Sequence, residues 1–321
     1  MNGVSLSPYK LLKPYEFSYV TVTSRNGGKI SLAINDSDET YLVSSSYLVF
    51  KSKNIKQLLP EYLFLLISRE EFDRFSRFNS WGSARETFDW SEFCRIQIPL
   101  PDIDTQQELV DTYNGLKALA EQNEALIEPL TQACQAYIVD CKKKYPEVEL
   151  GNYIEQRREK FSGSESLPIR GVSSDGFIPP KQKDADISKY NVFYKNDFVF
   201  NPARMEINSI ALNVELEKGI CSSLYEVFSV DESSLMPKYL NLFIKRSEFA
   251  RQCEYIGFGS AREYCRVSNI SEIKFPLPPP EVQQAIVNLY NCAEEAKKIA
   301  NEAREKMKTL CPALVQKAIN G

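Results

Sequence analysis

Histidine is absent from all 321 residues, and that single absence removes His-based triads, histidine-dependent zinc sites and the usual general base at neutral pH. Glycine is scarce, at 13 residues, and no GxGxxG, GxxxxGK(S/T) or HExxH pattern occurs, so nucleotide cradles and zinc-peptidase helices have no signal. The cysteines at 94, 134, 141, 221, 253, 265, 292 and 311 form no CxxC pair and no compact cluster. They read as reduced, mostly buried thiols rather than metal ligands or redox pairs. No run of 18 apolar residues exists, and the first 13 residues lack the charged-then-apolar order of a secretory signal. A soluble, cytoplasmic protein with no membrane partner, no metal and no cofactor is the expectation. Excess positive charge is missing too: 39 Lys and Arg stand against 43 Asp and Glu, a net charge of −4. A protein that coats nucleic acid by bulk charge is thereby excluded, but a local basic face is not. Acids such as Asp36, Asp38, Glu39, Asp231 and Glu232 read as solvated turns. No catalytic constellation is found.

What is present is a duplication. Gly-Ser-Ala-Arg-Glu occurs at 82–86 and again at 259–263, 177 positions on. At the same spacing Pro60, Tyr62, Leu63 and Phe72 return as Pro237, Tyr239, Leu240 and Phe249. Pro99, Leu100 and Pro101 return as Pro276, Leu277 and Pro278, and Gln106 and Gln107 as Gln283 and Gln284. A period this long is that of a domain with its own core, not of a solenoid.

Within each copy the pattern passes from strand-like to helical. Residues 17–23, 29–34 and 41–50 are β-prone, with a turn signal at Asn26-Gly27-Gly28, and 191–201, 209–214 and 221–230 play the same part in the second copy. A short amphipathic helix is expected over 60–76 and over 237–253. Thr105-Gln-Gln-Glu108 reads as a capping box opening a helix over 105–144. Its apolar seam steps by four and three through Leu109, Tyr113, Leu116, Ala120, Asn123, Ile127, Leu130, Cys134, Tyr137 and Cys141. A second long helix over 280–320 has Ile286, Leu289, Ala293, Ala296, Ala300, Ala303, Met307, Leu310 and Leu314 at the same alternation. Pro129 and Pro312 fall inside these helices and are expected to kink them or split off a last turn. Two packings are open: each helix lies on its own module, or the two form an antiparallel pair. Forty residues of helix span about 60 Å, well over one turn of B-DNA. The expected fold is α+β, two tandem α/β modules each followed by a long helix. The expected division is 1–103, 104–145, 146–279 and 280–321.

These pieces, in this order and twice over, resemble the specificity subunit of type I restriction-modification systems. The resemblance is carried by Gly82 to Glu86, Ile98 to Gln107, Gly259 to Glu263, Phe275 to Gln284 and the two long helices. It implies that each module is a target recognition domain reading one half of a bipartite double-stranded DNA sequence. It also implies that the paired helices set the spacer and dock methyltransferase subunits, which restriction subunits join in a larger assembly. No active site is implied in this subunit. The first module departs from the pattern by looking shortened: Tyr9 corresponds to Tyr190 and Phe17 to Phe198, yet the second module has a further stretch from Glu149 to Pro180 ahead of Tyr190.

Base reading needs side chains that fork onto base edges, with other basic groups on phosphates. In the second module Arg170, Lys181, Lys183, Arg204 and Asn208 lie on turn-rich segments suited to that, Arg204 foremost. Arg25 and Lys29 are the first-module candidates. Arg85 and Arg262, in the repeated pentapeptide, suit a phosphate contact or a structural pairing, because base readers would differ between modules. Leu109, Leu116, Ile127, Leu130, Ile286, Leu289, Met307 and Leu310 are the expected helix-pair contacts. A scaffold that binds methyltransferase subunits without reading DNA is the alternative function. A stand-alone nuclease or methyltransferase has no acid-base, metal or cofactor pattern to support it.

Overall fold

Alternating aromatic and β-branched residues form the sheets of both modules, and proline at the first helical position opens the helices that follow them. The structure is a computed structural model in which residues 8–22, 29–82, 86–163, 165–180, 186–257 and 264–320 are described, with side chains to 309. The chain divides into two compact units, 1–125 with 296–321, and 126–295.

In the first unit, β2 (Phe17–Val20) lies between β3 (Ser31–Ile34) and β5 (Tyr47–Phe50), all antiparallel, while β1 (Lys10–Leu12) pairs with β4 (Tyr41–Val43). The β-prone stretch 41–50 is thus two strands in two sheets, parted by a turn in which the Tyr47 amide donates to the Ser44 carbonyl at 3.0 Å. Helices α1 (Pro60–Ile67), α2 (Glu70–Phe78) and α3 (Trp90–Cys94) follow, then α4 (Ile103–Lys144). The helix expected over 60–76 is therefore two. Arg69 is extended, and the burial demands differ: α1 buries almost every residue, whereas α2 buries only Phe72 and Ser76. The core joins Phe17, Tyr62, Leu66, Phe72 and Phe88 to Leu109 and Val110 of α4.

In the second unit the corresponding strands are β10 (Asn191–Tyr194), β11 (Phe198–Phe200), β12 (Ile210–Leu212), β13 (Lys218–Cys221) and β14 (Glu226–Val230). Four more strands accompany them: β6 (Glu147–Glu149), β7 (Ile154–Arg157), β8 (Ile169–Ser173) and β9 (Gly176–Ile178). β7 extends one sheet to the order β12-β11-β14-β7, and β8 and β9 extend the other to β10-β13-β8-β9. β6 pairs with β15 (Lys274–Pro276). Helices α5 (Pro237–Ile244), α6 (Ser247–Gly257) and α7 (Val267–Ser271) precede β15, and α8 (Pro280–Asn320) closes the chain. Here too the helix expected over 237–253 is divided.

The two modules repeat each other down to single contacts. Phe17 stacks on Phe50 at 4.7 Å, as Phe198 does on Phe228 at 4.9 Å. Tyr15 and Asn196, before the corresponding strands, both take left-handed φ, 60° and 66°. The Asn35 amide donates to the Glu16 carbonyl as the Asn213 amide does to that of Asp197, both at 2.9 Å.

The long helix begins at Ile103, not Thr105, and its cap is Asp102, whose carboxylate accepts from the Thr105 amide and hydroxyl, each at 2.9 Å. Those two donors hold the Asp102 carboxyl below its ordinary range. Neither Pro129 nor Pro312 ends its helix. Within the second unit the helices run antiparallel: the Cys134 thiol meets the Ile286 carbonyl at 3.8 Å, while Cys141 and Lys144 face Glu281 and Val282 across a hollow of about 400 Å³. Within the first unit Arg304 forks onto Glu124 at 3.0 and 2.9 Å. Ala120, Ala296, Ala300 and Ala303 are buried. Both packings foreseen for the helices therefore occur, over different stretches. Leu109 departs from the expected seam, since it faces the module core with Val110, and so does the exposed Tyr137, whose place is taken by buried Ile138. Leu116, Ile127, Leu130, Leu289 and Met307 are half-buried and Ile286 is buried; the side chain of Leu310 lies outside the described residues. Among the described residues, no helix is long and apolar enough to cross a membrane.

Candidate nucleic-acid interface

Each module is locked to the first turn of its long helix by a buried glutamine. Gln106 accepts from the Leu59 amide at 2.9 Å and donates to the carbonyls of Gln57 and Pro101, both at 2.8 Å. Gln283 repeats this with the Met236 amide at 2.8 Å and the carbonyls of Ser234 and Pro278 at 2.9 and 2.8 Å. Neither Leu59 nor Met236, which open α1 and α5, has a side-chain cap of its own, so the glutamine supplies it from another helix. Tyr62 and Tyr239 add hydroxyl bonds to the carbonyls of Pro99 and Pro276 at 3.3 and 3.0 Å. This lock fixes the start of α1 and of α5 against the first turn of the long helix of the same module.

The pentapeptide of the first module lies between Trp81 and Thr87, whose amides and carbonyls pair at 3.1 and 3.0 Å, with Gly82 at φ 139°. That φ suits glycine and disfavours any side chain. Glu86 pairs with Arg77 of α2 at 2.6 Å. The exit of the element is tied down identically in both modules, by Phe88 amide to Thr21 carbonyl at 2.8 Å and Cys265 amide to Pro202 carbonyl at 2.9 Å. Each module thus joins the segment leading to Arg25 or Arg204 to the exit of its repeated element.

Of the DNA-contact candidates, Arg25, Arg85, Lys181, Lys183 and Arg262 lie outside the described residues. Arg204 is exposed on a 3-10 turn from Pro202 to Ile207 that is capped by the Asn201 side chain. Asn208 ends that turn in the left-handed region, φ 53°, and its carboxamide leans toward the Arg246 carbonyl at 3.5 Å, so this position has a structural cause of its own. Ser209 donates to the Val172 carbonyl at 3.3 Å, which sets the turn beside β8. On β8, Arg170 is half-buried and donates to the Ile169 carbonyl at 3.2 Å. Lys29 is exposed at a surface hollow of about 730 Å³ shared with Arg69, Glu71, Asp73, Arg304 and Lys308, a mixed-charge lining rather than a basic face.

One pair escaped the reading of the sequence. Phe78 and Tyr255 stand at the same place in the duplication, one turn after Arg74 and Arg251, and the two residues are 82% and 83% exposed. An apolar ring left in water at the end of a helix is unusual once, and here it is built twice. The 177-residue offset could have exposed it, but an aromatic residue three or four positions from other apolar ones reads as core until burial is known.

Other charged groups serve the fold. Arg157 forks onto buried Asp197 at 2.6 and 3.0 Å; burial pushes the Asp197 carboxyl up, against the pull of the guanidinium. Lys245 donates to the carbonyls of Ser174 and Ile210 at 2.8 and 3.0 Å, and burial pulls its ammonium down. Among the described residues no group of His, Cys, Asp and Glu is placed to hold a metal ion.

The family model described as the type I restriction modification DNA specificity domain matches this chain twice, over residues 4–132 and 172–301. The HindI type I restriction enzyme specificity subunit of Haemophilus influenzae is 30% identical over 131 residues, a stretch that takes in 40% of this chain and 28% of that subunit. The S subunit of a type I restriction-modification system from M. genitalium is similar in fold, with a TM-score of 0.61 at 12% identity over 96% of this chain and 83% of that one. The HsdS subunit of Thermoanaerobacter tengcongensis aligns over 97% of this chain and 82% of that one at 16% identity, with a TM-score of 0.44. With one scaffold built twice, and both copies matched, the chain belongs to the type I restriction-modification DNA specificity family.

Proposed function

We propose that this chain is a non-catalytic specificity subunit whose two modules read the two halves of a bipartite double-stranded DNA target. The long helices set the distance between the halves and dock methyltransferase subunits, through which restriction subunits join. The observation that carries the reading is the doubling of one scaffold, with the same glutamine lock and the same exposed arginine-aromatic pair in each copy. Two similar readers in one chain suit a ligand with two similar parts.

In this reading Arg204 is the foremost base reader of the second module, supported by Arg170, Lys181, Lys183 and Asn208, with Arg25 and Lys29 in the first. Arg85 and Arg262 hold phosphate or the backbone of the element they share. Arg74 and Arg251 add phosphate contacts, and Phe78 and Tyr255 lie against the sugar and base edges beside them. Leu116, Ile127, Leu130, Ile286, Leu289, Met307 and Leu310 hold the helices together. Residues 1–103 and 146–279 are the recognition domains, and 104–145 and 280–321 the spacer.

The test is selection from a randomised DNA pool by the purified chain, alone and with its modification subunit, followed by sequencing. Two short blocks at a fixed gap are expected, with affinity that falls steeply as salt rises. Arg251→Ala with Tyr255→Ala should erase one block and Arg74→Ala with Phe78→Ala the other, without loss of fold. A second reading, a scaffold that reads no DNA, is favoured by the net charge of −4. A chain that binds methyltransferase subunits but enriches no sequence would establish that scaffold role instead. Enrichment of one block alone would leave the second module as the sole reader.

A further inference from the structure

Both modules turn from one sheet into the other through the same four residues but for one. Ser44-Ser45-Ser46-Tyr47 carries β4 into β5, and Ser222-Ser223-Leu224-Tyr225 carries β13 into β14. In each, the tyrosine amide closes the turn on the carbonyl of the first serine at 3.0 Å. The hydroxyl of that serine accepts from the amide of the third residue, at 3.5 Å from Ser46 and 3.3 Å from Leu224. The tyrosine carbonyl is held from the residue opposite the entry to the turn, by the Lys10 ammonium of β1 at 2.6 Å and the Asn191 carboxamide of β10 at 2.7 Å. One frame is thus built twice with a different tip, an exposed Ser46 in the first module and in the second Leu224, 77% exposed.

All the bonds of this turn come from main chain, from its first serine and from the facing strand, so a leucine at its tip adds nothing to it. Serine is the residue that turns favour. A lone exposed leucine is ordinary on a protein surface, so its place decides what it means. Phe200, which leads into the turn that carries Arg204, pairs with Glu226 at the start of β14, so both turns leave the sheet at one end. Arg170 lies opposite Cys221, the last residue before the serines. Glu226 accepts from the Val267 amide at 2.8 Å and pairs with Arg266 at 3.4 Å, which brings the exit of the repeated pentapeptide to the same end. Three arginines, from three other segments, are therefore gathered at the end of the module where Leu224 stands. The first module has the same arrangement: Val20, which leads toward Arg25, pairs with Tyr47, and the Phe88 amide bonds to the Thr21 carbonyl at 2.8 Å.

We infer that Leu224 reads a thymine in the second half of the target by packing on its C5-methyl group in the major groove, and that Ser46 holds the same place in the first half without that preference. The inference rests on the DNA-reading proposal and adds a reader to it. The thymine methyl is the one apolar mark among the donors and acceptors of the major groove, so an apolar tip selects it where a hydroxyl does not. Arginines beside the tip suit the phosphates that flank such a base. Two readers of unlike sequence need a shared frame that fixes geometry and a side chain that differs, and this turn supplies both.

The test is the randomised-pool selection run with Leu224→Ser beside the unaltered chain. Serine is what the same turn carries in the first module, so the urea midpoint is expected to be unchanged. One thymine position in the second block should lose its preference, with every other position in both blocks as before. Deoxyuridine in place of thymidine at that position removes only the methyl group. It should weaken binding by the unaltered chain about fourfold, the worth of one buried methyl, and leave Leu224→Ser unaffected. Ser46→Leu should introduce a thymine preference at one position of the first block alone. If the unaltered chain recovers two blocks and Leu224→Ser recovers the same two with the same base preferences, the inference is overturned while the DNA-reading proposal stands. Equal affinity of the unaltered chain for the thymine and uracil duplexes overturns it as well. If the unaltered chain enriches no sequence, both fall together.

Discussion

At the scale of single residues, the paired glutamines show how little of a side chain's role lies in its type. Gln106 and Gln283 are fully buried, each with three hydrogen bonds to backbone that has no other partner in view. Leucine fills similar space but leaves those groups unpaired, at about 1–3 kcal/mol for an orphaned buried group. Gln283→Leu and Gln106→Leu should each lower the stability of their own unit by about that amount in urea unfolding. A loss under about 0.5 kcal/mol, the range of ordinary surface substitutions, would show the lock to be ornamental. The thiols offer a second check. Burial pushes Cys221 up to about 12, so it carries almost no thiolate at pH 8, whereas Cys94 and Cys292 are exposed. A thiol reagent on the native protein should modify Cys94 and Cys292 and reach Cys221 only after unfolding.

At the scale of elements, the long helices are set more by what they pack on than by their own sequence. α4 carries Pro129 at an exposed position, which forfeits the backbone bond to residue 125, yet the helix continues to Lys144. Pro129→Ala should stabilise the protein by about 1–3 kcal/mol, seen as a higher urea midpoint at unchanged slope. The heptad pattern in α8 matches its buried line from Ile286 to Ala303 because small alanines leave one unambiguous face. In α4 the pattern is legible between Leu116 and Cys134 and misplaced at both ends. There the module cores draw Leu109 and Ile138 inward, and tertiary packing overrides an ideal repeat.

At the scale of the whole molecule, the charge balance sets a pH window. Among the described residues seven carboxyls lie below their ordinary range, Asp89, Asp102, Glu124, Asp140, Asp186, Asp231 and Glu248, and only Asp197 lies above it. The lowered ones are held by hydrogen bonds from hydroxyls and amides, or from Arg304, Lys144 and Lys142. A folded carboxyl below its unfolded value contributes stability that is complete above the unfolded value, 4.5 for Glu248, and is lost as pH falls through the folded one. Asp197 opposes this over the same range but is outnumbered. On the alkaline side Cys221 is raised from 9.0, so its contribution is complete below pH 9 and is lost as pH climbs toward 12. Urea midpoints should therefore be flat between about pH 5 and 9 and fall on either side. A midpoint that rises on acidification below pH 4 would contradict the assignment.

The duplication, the α+β class, the order of strands before helices and the two long helices were all legible in the sequence, because each rests on local periodicity or on repetition at a fixed offset. Repetition also singled out Tyr62, Gln106, Gly82 and their counterparts as positions that matter, without saying for what. Only the tertiary structure decided that the glutamines cap helices from a distance, that Phe78 and Tyr255 stand in solvent, and that β7 and β8 join the sheets of the second module. The physical reason is that burial and hydrogen-bond partnership are properties of segments far apart in the chain. Leu11 and Val192 occupy the same place in the same scaffold, yet Val192 is buried with Phe161, Leu167 and Ile169, residues far ahead of it in the chain, while Leu11 is exposed, and nothing adjacent to either in the sequence tells the two apart.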